Sequence, residues 1–345
     1  MKFNFIISAC FFFFLISCKK KEMYKSNLAP KILVTSEYHN QKVNDSYRYM
    51  ENLKDSIFLS WVKEQETHTK EALNSISNRK RLLDKISSFD KKNTATFSLL
   101  KIIDNNTHFY LKKEGTSNTA ILYKSAGFKG KEKLLFDPKS FKSNSKDNYS
   151  INYIQPSWDG KKIVISLTKN DIEISEMIIL DIESRKLYDK TITNCWPSAL
   201  GGVSWLPDNS GFYYVHIPII EKKSKNYIKN TATVLYKLDN SSNNLNRVFS
   251  KANNPKLSVK SHDFPVIQYL SNNDSYILGL IAGIGFYDSY YSTIINNYSD
   301  KFNWKQLFKK EDKVKQFLIK GDEFFFRTSK NASNFKICKT SLVSP

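Results

Sequence analysis

Between Pro156 and His216 the chain writes one hairpin twice: Trp158-Asp159-Gly160-Lys161-Lys162-Ile163-Val164-Ile165, then Trp205-Leu206-Pro207-Asp208-Asn209-Ser210-Gly211-Phe212-Tyr213-Tyr214. In each copy an aromatic residue precedes an Asp/Asn-Gly turn, and a β-branched or aromatic strand leaves it. Asp bonds its own backbone there and Gly accepts positive φ, so the turn joins antiparallel neighbours. Three more copies follow the same plan: Asn105-Asn106-Thr107-His108-Phe109-Tyr110, Asn272-Asn273-Asp274-Ser275-Tyr276-Ile277-Leu278 and Lys320-Gly321-Asp322-Glu323-Phe324-Phe325-Phe326. With turns at 106, 160, 211, 275 and 321 the intervals are 54, 51, 64 and 46 residues, a blade-sized period.

Each unit carries a further strand past its turn: Ala120 to Tyr123, Met177 to Ile182, Val234 to Leu238, Tyr291 to Ile295 and Phe335 to Thr340. Turn, strand, loop and strand, repeated at this spacing, predict a mostly β chain folded as a β-propeller with about five recognisable blades. A β-sandwich would supply the strands but not the paired spacing.

The formal charge of +20 invites a nucleic-acid reading, but 47 of the 53 basic residues are Lys and six are Arg. Phosphate-reading surfaces favour the fixed fork of Arg, and base-stacking modules set aromatics among their cations. With no compact basic run in the folded part, the charge reads as a Lys-rich solvated surface and nucleic acid is excluded as a partner.

The first 17 residues stand outside the fold. Lys2 is followed by an apolar run from Phe3 to Ile16, too short for a membrane span and placed as an export signal. Leu15-Ile16-Ser17-Cys18 resembles the lipobox of bacterial lipoproteins, in which cleavage precedes the Cys and the Cys receives the lipid. That resemblance implies lipid attachment at Cys18, a tether over 18–36 and a place in the bacterial cell envelope; a plain secretory signal or an anchor is the competing reading. Cys195 and Cys338 are then the remaining thiols, read as small apolar residues rather than a disulfide. The five His, at 39, 68, 108, 216 and 262, have no metal-ligand spacing, so no metal and no cofactor is expected.

Residues 37–92 read as a helical N-terminal segment, with the strands of a partial propeller domain beginning only after Lys92 and filling 93–345. Ile57, Phe58, Trp61, Val62, Gln65, Thr69, Ala72 and Leu73 recur at three- and four-residue steps, predicting a helix from Asp55 to Leu73 with Asp55 at its cap. A second helix is expected over Arg79 to Ile86. Trp61 is expected to anchor the first helix against a partner surface.

Tyr38-His39-Asn40, Val43-Asn44-Asp45-Ser46-Tyr47-Arg48-Tyr49-Met50-Glu51, Trp61-Val62 and Gln65 resemble the N-terminal signature of the prolyl oligopeptidase family of serine peptidases. There a Tyr-His-Gly stretch leads to Val-x-Asp-Pro-Tyr-Arg-Trp-Leu-Glu and then to a helix with Trp-Val and Gln-Asn. Asn40, Ser46, Tyr49 and Met50 are departures. Ser157 to Ile165, Gly202-Val203-Ser204-Trp205 and Asp208 to Tyr214 are similar to that family's repeat strands. The resemblance runs from about residue 37 to residue 345.

It implies a seven-bladed propeller capping an α/β-hydrolase domain, which carries Ser, Asp and His, cleaves after proline and receives only short peptides through the propeller. A hydrolase domain needs a Gly-x-Ser-x-Gly elbow. The nearest match, Gly202-Val203-Ser204-Trp205-Leu206, lacks the second Gly and sits within a β-repeat, so no catalytic residue is assigned and the catalytic domain is expected to be absent from these residues. Two readings stand: the propeller part of a serine endopeptidase, inactive alone, or a free-standing lipid-anchored propeller that binds peptides or envelope proteins.

Overall fold

A computed structural model describes residues 27–344 apart from 93, 104–105, 116, 171, 200, 240–243, 270–274 and 295–301, and apart from the side chains of 292–294. The export signal, Cys18, Asn105, Asn272 to Asp274 and Ile295 therefore lie outside the described residues. The chain divides into two units, 1–92 and 93–345.

In the first unit the strands begin earlier than expected. Val34–Tyr38 (β1) pairs with Gln41–Asp45 (β2), Tyr38 opposite Gln41. The two residues between them, His39 and Asn40, both have positive φ, 51° and 62°, as the tightest hairpin turn requires of its central pair. Asn tolerates that region better than most residues, so Asn40 can stand where the family's Gly stands. The expected absence of strands before Lys92 failed because a five-residue polar hairpin shows little alternation.

Ser56–Asn74 forms α1, and Asp55 caps it by accepting from the Ile57 and Phe58 amides at 2.9 and 3.0 Å. Arg79–Asp90 forms α2, one turn longer than predicted. No described residue of either helix is buried, and none of the described helices is long and apolar enough to cross a membrane.

The second unit is a run of antiparallel meanders. The first is β3 (Ala95–Ile103), β4 (Thr107–Glu114), β5 (Ile121–Ala126) and β6 (Lys133–Phe136). The next two are β7 (Tyr149–Pro156), β8 (Lys162–Lys169), β9 (Ser175–Asp181) and β10 (Ile192–Cys195), then β11 (Ser204–Trp205), β12 (Gly211–His216), β13 (Ala232–Lys237) and β14 (Asn246–Phe249). They merge into one eight-stranded sheet, because β10 pairs with β12 at Cys195 and His216. β15 (Phe264–Gln268), β16 (Tyr276–Ala282), β17 (Ser289–Ile294) and β18 (Lys305–Phe308) make the fourth, and β19 (Val314–Lys320), β20 (Glu323–Thr328) and β21 (Lys336–Ser341) the last.

Side-chain alternation explains why the central strands are apolar throughout yet still two-sided. On β8, Ile163, Ile165 and Leu167 pack with Phe109 and Leu122 of the first meander, while Val164 packs with Trp205, Phe212 and Val234 of the third. On β16, Ile277 and Ile281 meet Leu206 and Tyr213, while Leu278 and Leu280 meet Phe324 of the last meander. Each inner sheet thus serves two neighbours, the sheet-against-sheet packing of a propeller.

The repeated turns do more than reverse the chain. Gly160 has φ +66°, Asp159 accepts from the Lys161 amide at 3.0 Å and Ser157 Oγ donates to Asp159 at 2.6 Å. The Trp158 indole donates to the Trp205 carbonyl at 3.2 Å, the Trp158 amide to Asn209 Oδ1 at 2.8 Å, and the Trp205 indole to the Gln155 carbonyl at 3.1 Å. One repeat's turn is therefore hydrogen-bonded into the next. In the second copy Asn209, at φ 59°, takes the left-handed position expected of Gly211. Gly211 is needed for another reason: a Cβ there would lie 2.2 Å from the Tyr236 carbonyl.

Candidate functional site

Ser204, the one residue near an elbow pattern, is held in β11 opposite Tyr213, and its Oγ accepts from the Tyr269 amide at 2.7 Å. It has no strand-to-helix turn beneath it. His216 lies three residues further along β12 than Tyr213, about 10 Å at the rise of a strand. The structure therefore brings no Ser, His and carboxylate together at this point.

His216 instead faces Cys195 across the β10–β12 bridge, with Tyr214 beside it, ring centroids 6.4 Å apart. Burial, reinforced by Arg247, pushes the His216 pKa down to about 4. Burial, with Glu176 adding to it, raises the Cys195 thiol well above its ordinary value. Both groups are neutral near pH 7, the reverse of an activated thiolate–imidazolium pair. Cys195 is fully buried as the sequence suggested; Cys338 is only half-buried, and neither is bridged. His108 is buried with a ring nitrogen 3.1 Å from Asn106 Oδ1, and exposed His262 lies 3.9 Å from Asp263. Among the described residues no cluster of three metal-ligating side chains occurs.

The N-terminal signature residues form a connected frame. Arg48 donates to Asp45 at 3.1 Å and to the Tyr38 hydroxyl at 3.0 Å, while Asp45 accepts from the Tyr47 amide at 2.8 Å. Tyr49 donates to the Pro30 carbonyl at 2.7 Å. Trp61 and Gln65, one turn apart on α1, both donate to the Asn27 carbonyl, at 3.2 and 3.0 Å. The bonds from Trp61 and Gln65 tie the segment before β1 to α1.

Two concavities of the second unit carry polar groups of note. One, of about 410 Å³, lies on the first meander's outer face among Phe97, His108, Tyr110, Phe128 and Glu132. There Lys112 reaches Glu132 at 2.8 Å and Glu114 at 3.2 Å, and those carboxylates raise the lysine's pKa. The other, about 540 Å³, lies on the fourth meander and is bordered by lysines. Sequence reading missed it because its residues come from positions as far apart as 256 and 311.

Residues 29–345 match the family model described as the prolyl oligopeptidase N-terminal β-propeller domain. The chain belongs to this family. A prolyl endopeptidase of Elizabethkingia miricola is 25% identical over 344 residues, covering 98% of this chain and 45% of that relative, and a prolyl endopeptidase of Elizabethkingia meningoseptica is 23% identical, covering 100% and 47%. The chain thus spans under half the length of the curated relatives it matches. Among solved structures, a prolyl endopeptidase superposes with a TM-score of 0.69 at 23% identity, over 93% of this chain and 45% of that one. Prolyl oligopeptidase B from Galerina marginata gives 0.67 at 14% identity, over 93% and 46%. At these identities the superpositions establish the propeller fold. The expected resemblance to the prolyl oligopeptidase propeller holds.

Proposed function

We propose that these residues are the N-terminal segment and propeller of a lipid-anchored serine endopeptidase, in which the propeller admits short proline-containing peptides to a catalytic α/β-hydrolase domain lying outside them. The carrying observation is the family match over nearly the whole chain, against relatives called prolyl endopeptidases that are about twice as long. Uncovered sheet faces support it. The first meander leaves Phe97 and Ile102 more than half exposed, and the last leaves Leu318 and Ile337 so, at 65% and 81%. In this reading the five meanders are five blades of a seven-bladed ring, and those faces are where further blades pack. Cys18 carries the lipid and the protein sits in the bacterial envelope.

The purified chain alone is expected to hydrolyse no proline-containing peptide and to take no label from a serine-reactive fluorophosphonate, while the downstream reading frame encodes a Gly-x-Ser-x-Gly elbow. Labelling of a specific Ser within these residues would overturn the assignment of a non-catalytic half. Mass spectrometry of the membrane fraction is expected to find an acylated N-terminal Cys18, and Cys18→Ser to release the protein; an intact Met1 would refute the anchor. A monodisperse monomer that binds peptides, with no such downstream frame, would favour a free-standing binding propeller.

A further inference from the structure

The cavity of about 540 Å³ on the fourth meander is built by the β14–β15 connection, β16, β17 and the two ends of β18. Lys256 and Lys260 border it from the connection, Lys309 and Lys310 from beyond β18, and Asp263 and Glu311 are the acidic residues at its edge. Among these lining residues two positive charges are left in surplus, with Asp288 near Lys310 and Asp312 near Lys309 just beyond them. Lys310 stands 3.7 Å from the buried Asp263, while Lys256, Lys260 and Lys309 make no ion pair among the described residues.

Neutral donors line the same space. Tyr291 accepts from Gln306 Nε2 at 3.3 Å, which leaves its own O–H proton for another acceptor. Burial raises that phenol's pKa, so it remains a donor at neutral pH. Trp304 also borders the cavity, its ring tilted against Phe249 and Phe302 at centroid distances of 4.9 and 5.0 Å.

We propose that this cavity binds the carboxylates of an acidic peptide segment, the lysines taking the charges and the Trp304 ring lying against the apolar parts of the peptide. Dispersed Lys point charges from separate loops suit carboxylates spaced along a chain; a compact phosphate is better held by an Arg fork, and no Arg is among the described residues that line the cavity. The inference rests on the peptide-handling reading above and narrows it to acidic sequences.

The test is calorimetric titration of the full chain with three peptides of equal length: a proline-free Glu-rich peptide, its Gln counterpart, and a neutral proline-containing one. The Glu peptide is expected to bind at least about tenfold more tightly than the Gln peptide at low salt, with the preference shrinking as ionic strength rises. Lys256→Gln/Lys260→Gln is expected to remove the preference, and Lys131→Gln/Lys133→Gln, distant and exposed, to keep it. The backbone of Lys260, not its side chain, donates to Asp263, so the first pair keeps that bond; matched circular dichroism melts check the fold. Equal binding of the Glu and Gln peptides, equal loss in both double variants, or displacement by inorganic phosphate at equivalent concentration would overturn the proposal. Binding of the proline peptide without the Glu peptide sinks the acidic site alone. Binding of the Glu peptide while the proline peptide is ignored supports the acidic site and counts against the peptidase reading.

Discussion

Three glycines that look alike in the sequence do different work. Gly321, at φ +59° and with open space within 4 Å of where a Cβ would stand, needs Gly only for its backbone, so Gly321→Ala is expected to cost about 1 kcal/mol. At Gly160 a Cβ would also lie 2.1 Å from the Ile103 Cδ1 methyl, a side chain that can move. Gly211 faces the Tyr236 carbonyl at 2.2 Å, and backbone in a paired strand cannot move, so Gly211→Ala is expected to be the most damaging, at about 3 kcal/mol or more. Urea midpoints of the three variants check the order. His216 gives a pH prediction. Its pKa is depressed to about 4 in the fold, below the roughly 6.5 of an unfolded chain. The unfolded state therefore binds the proton first as pH falls, and stability from neutral His216 is full above about 6.5 and lost as pH drops toward 4. His216→Gln is expected to flatten that part of the stability profile by up to about 3 kcal/mol.

The Asp55 cap is legible from its position before an apolar-periodic run, and in the structure it accepts from two first-turn amides. Asp55→Ala is expected to cost about 1 kcal/mol of α1 stability, read from helix-specific hydrogen exchange. The apolar stripe of α1 points to Trp61 as an anchor on a partner surface. Among the described residues Trp61 is half-buried, packs near Phe58 at 6.5 Å and holds Asn27 through its indole. Trp61→Ala is therefore expected to increase proteolysis of the segment around residue 27 while leaving the melting temperature of the meanders unchanged; an unchanged cleavage rate would show that this hydrogen bond holds nothing in place.

Across the whole meander array the inner sheets have both faces occupied and the first and last have one each. Exposed strand faces of this kind associate. Leu318→Lys/Ile337→Lys is expected to reduce self-association, measured by sedimentation velocity, without lowering the melting temperature, because neither side chain contributes to a buried cluster. Association unchanged in that variant would place the contact on the first meander or elsewhere.

What the sequence alone determined was periodic and local: the turn residues, the alternating strands between them, the Asp55 cap and the spacing that makes a propeller. Each of these depends on neighbours a few residues away, or on the same rule repeated. The tertiary structure decided the matters set by residues distant in the chain. It made Asn209 rather than Gly211 the left-handed residue, because β13 crowds Gly211. It put Ser204 under the Tyr269 amide, made His216 and Cys195 a neutral buried pair, and gathered the lysines around the fourth meander. Burial and proximity fix charge state and contact, and a linear pattern carries neither until the sheets are packed.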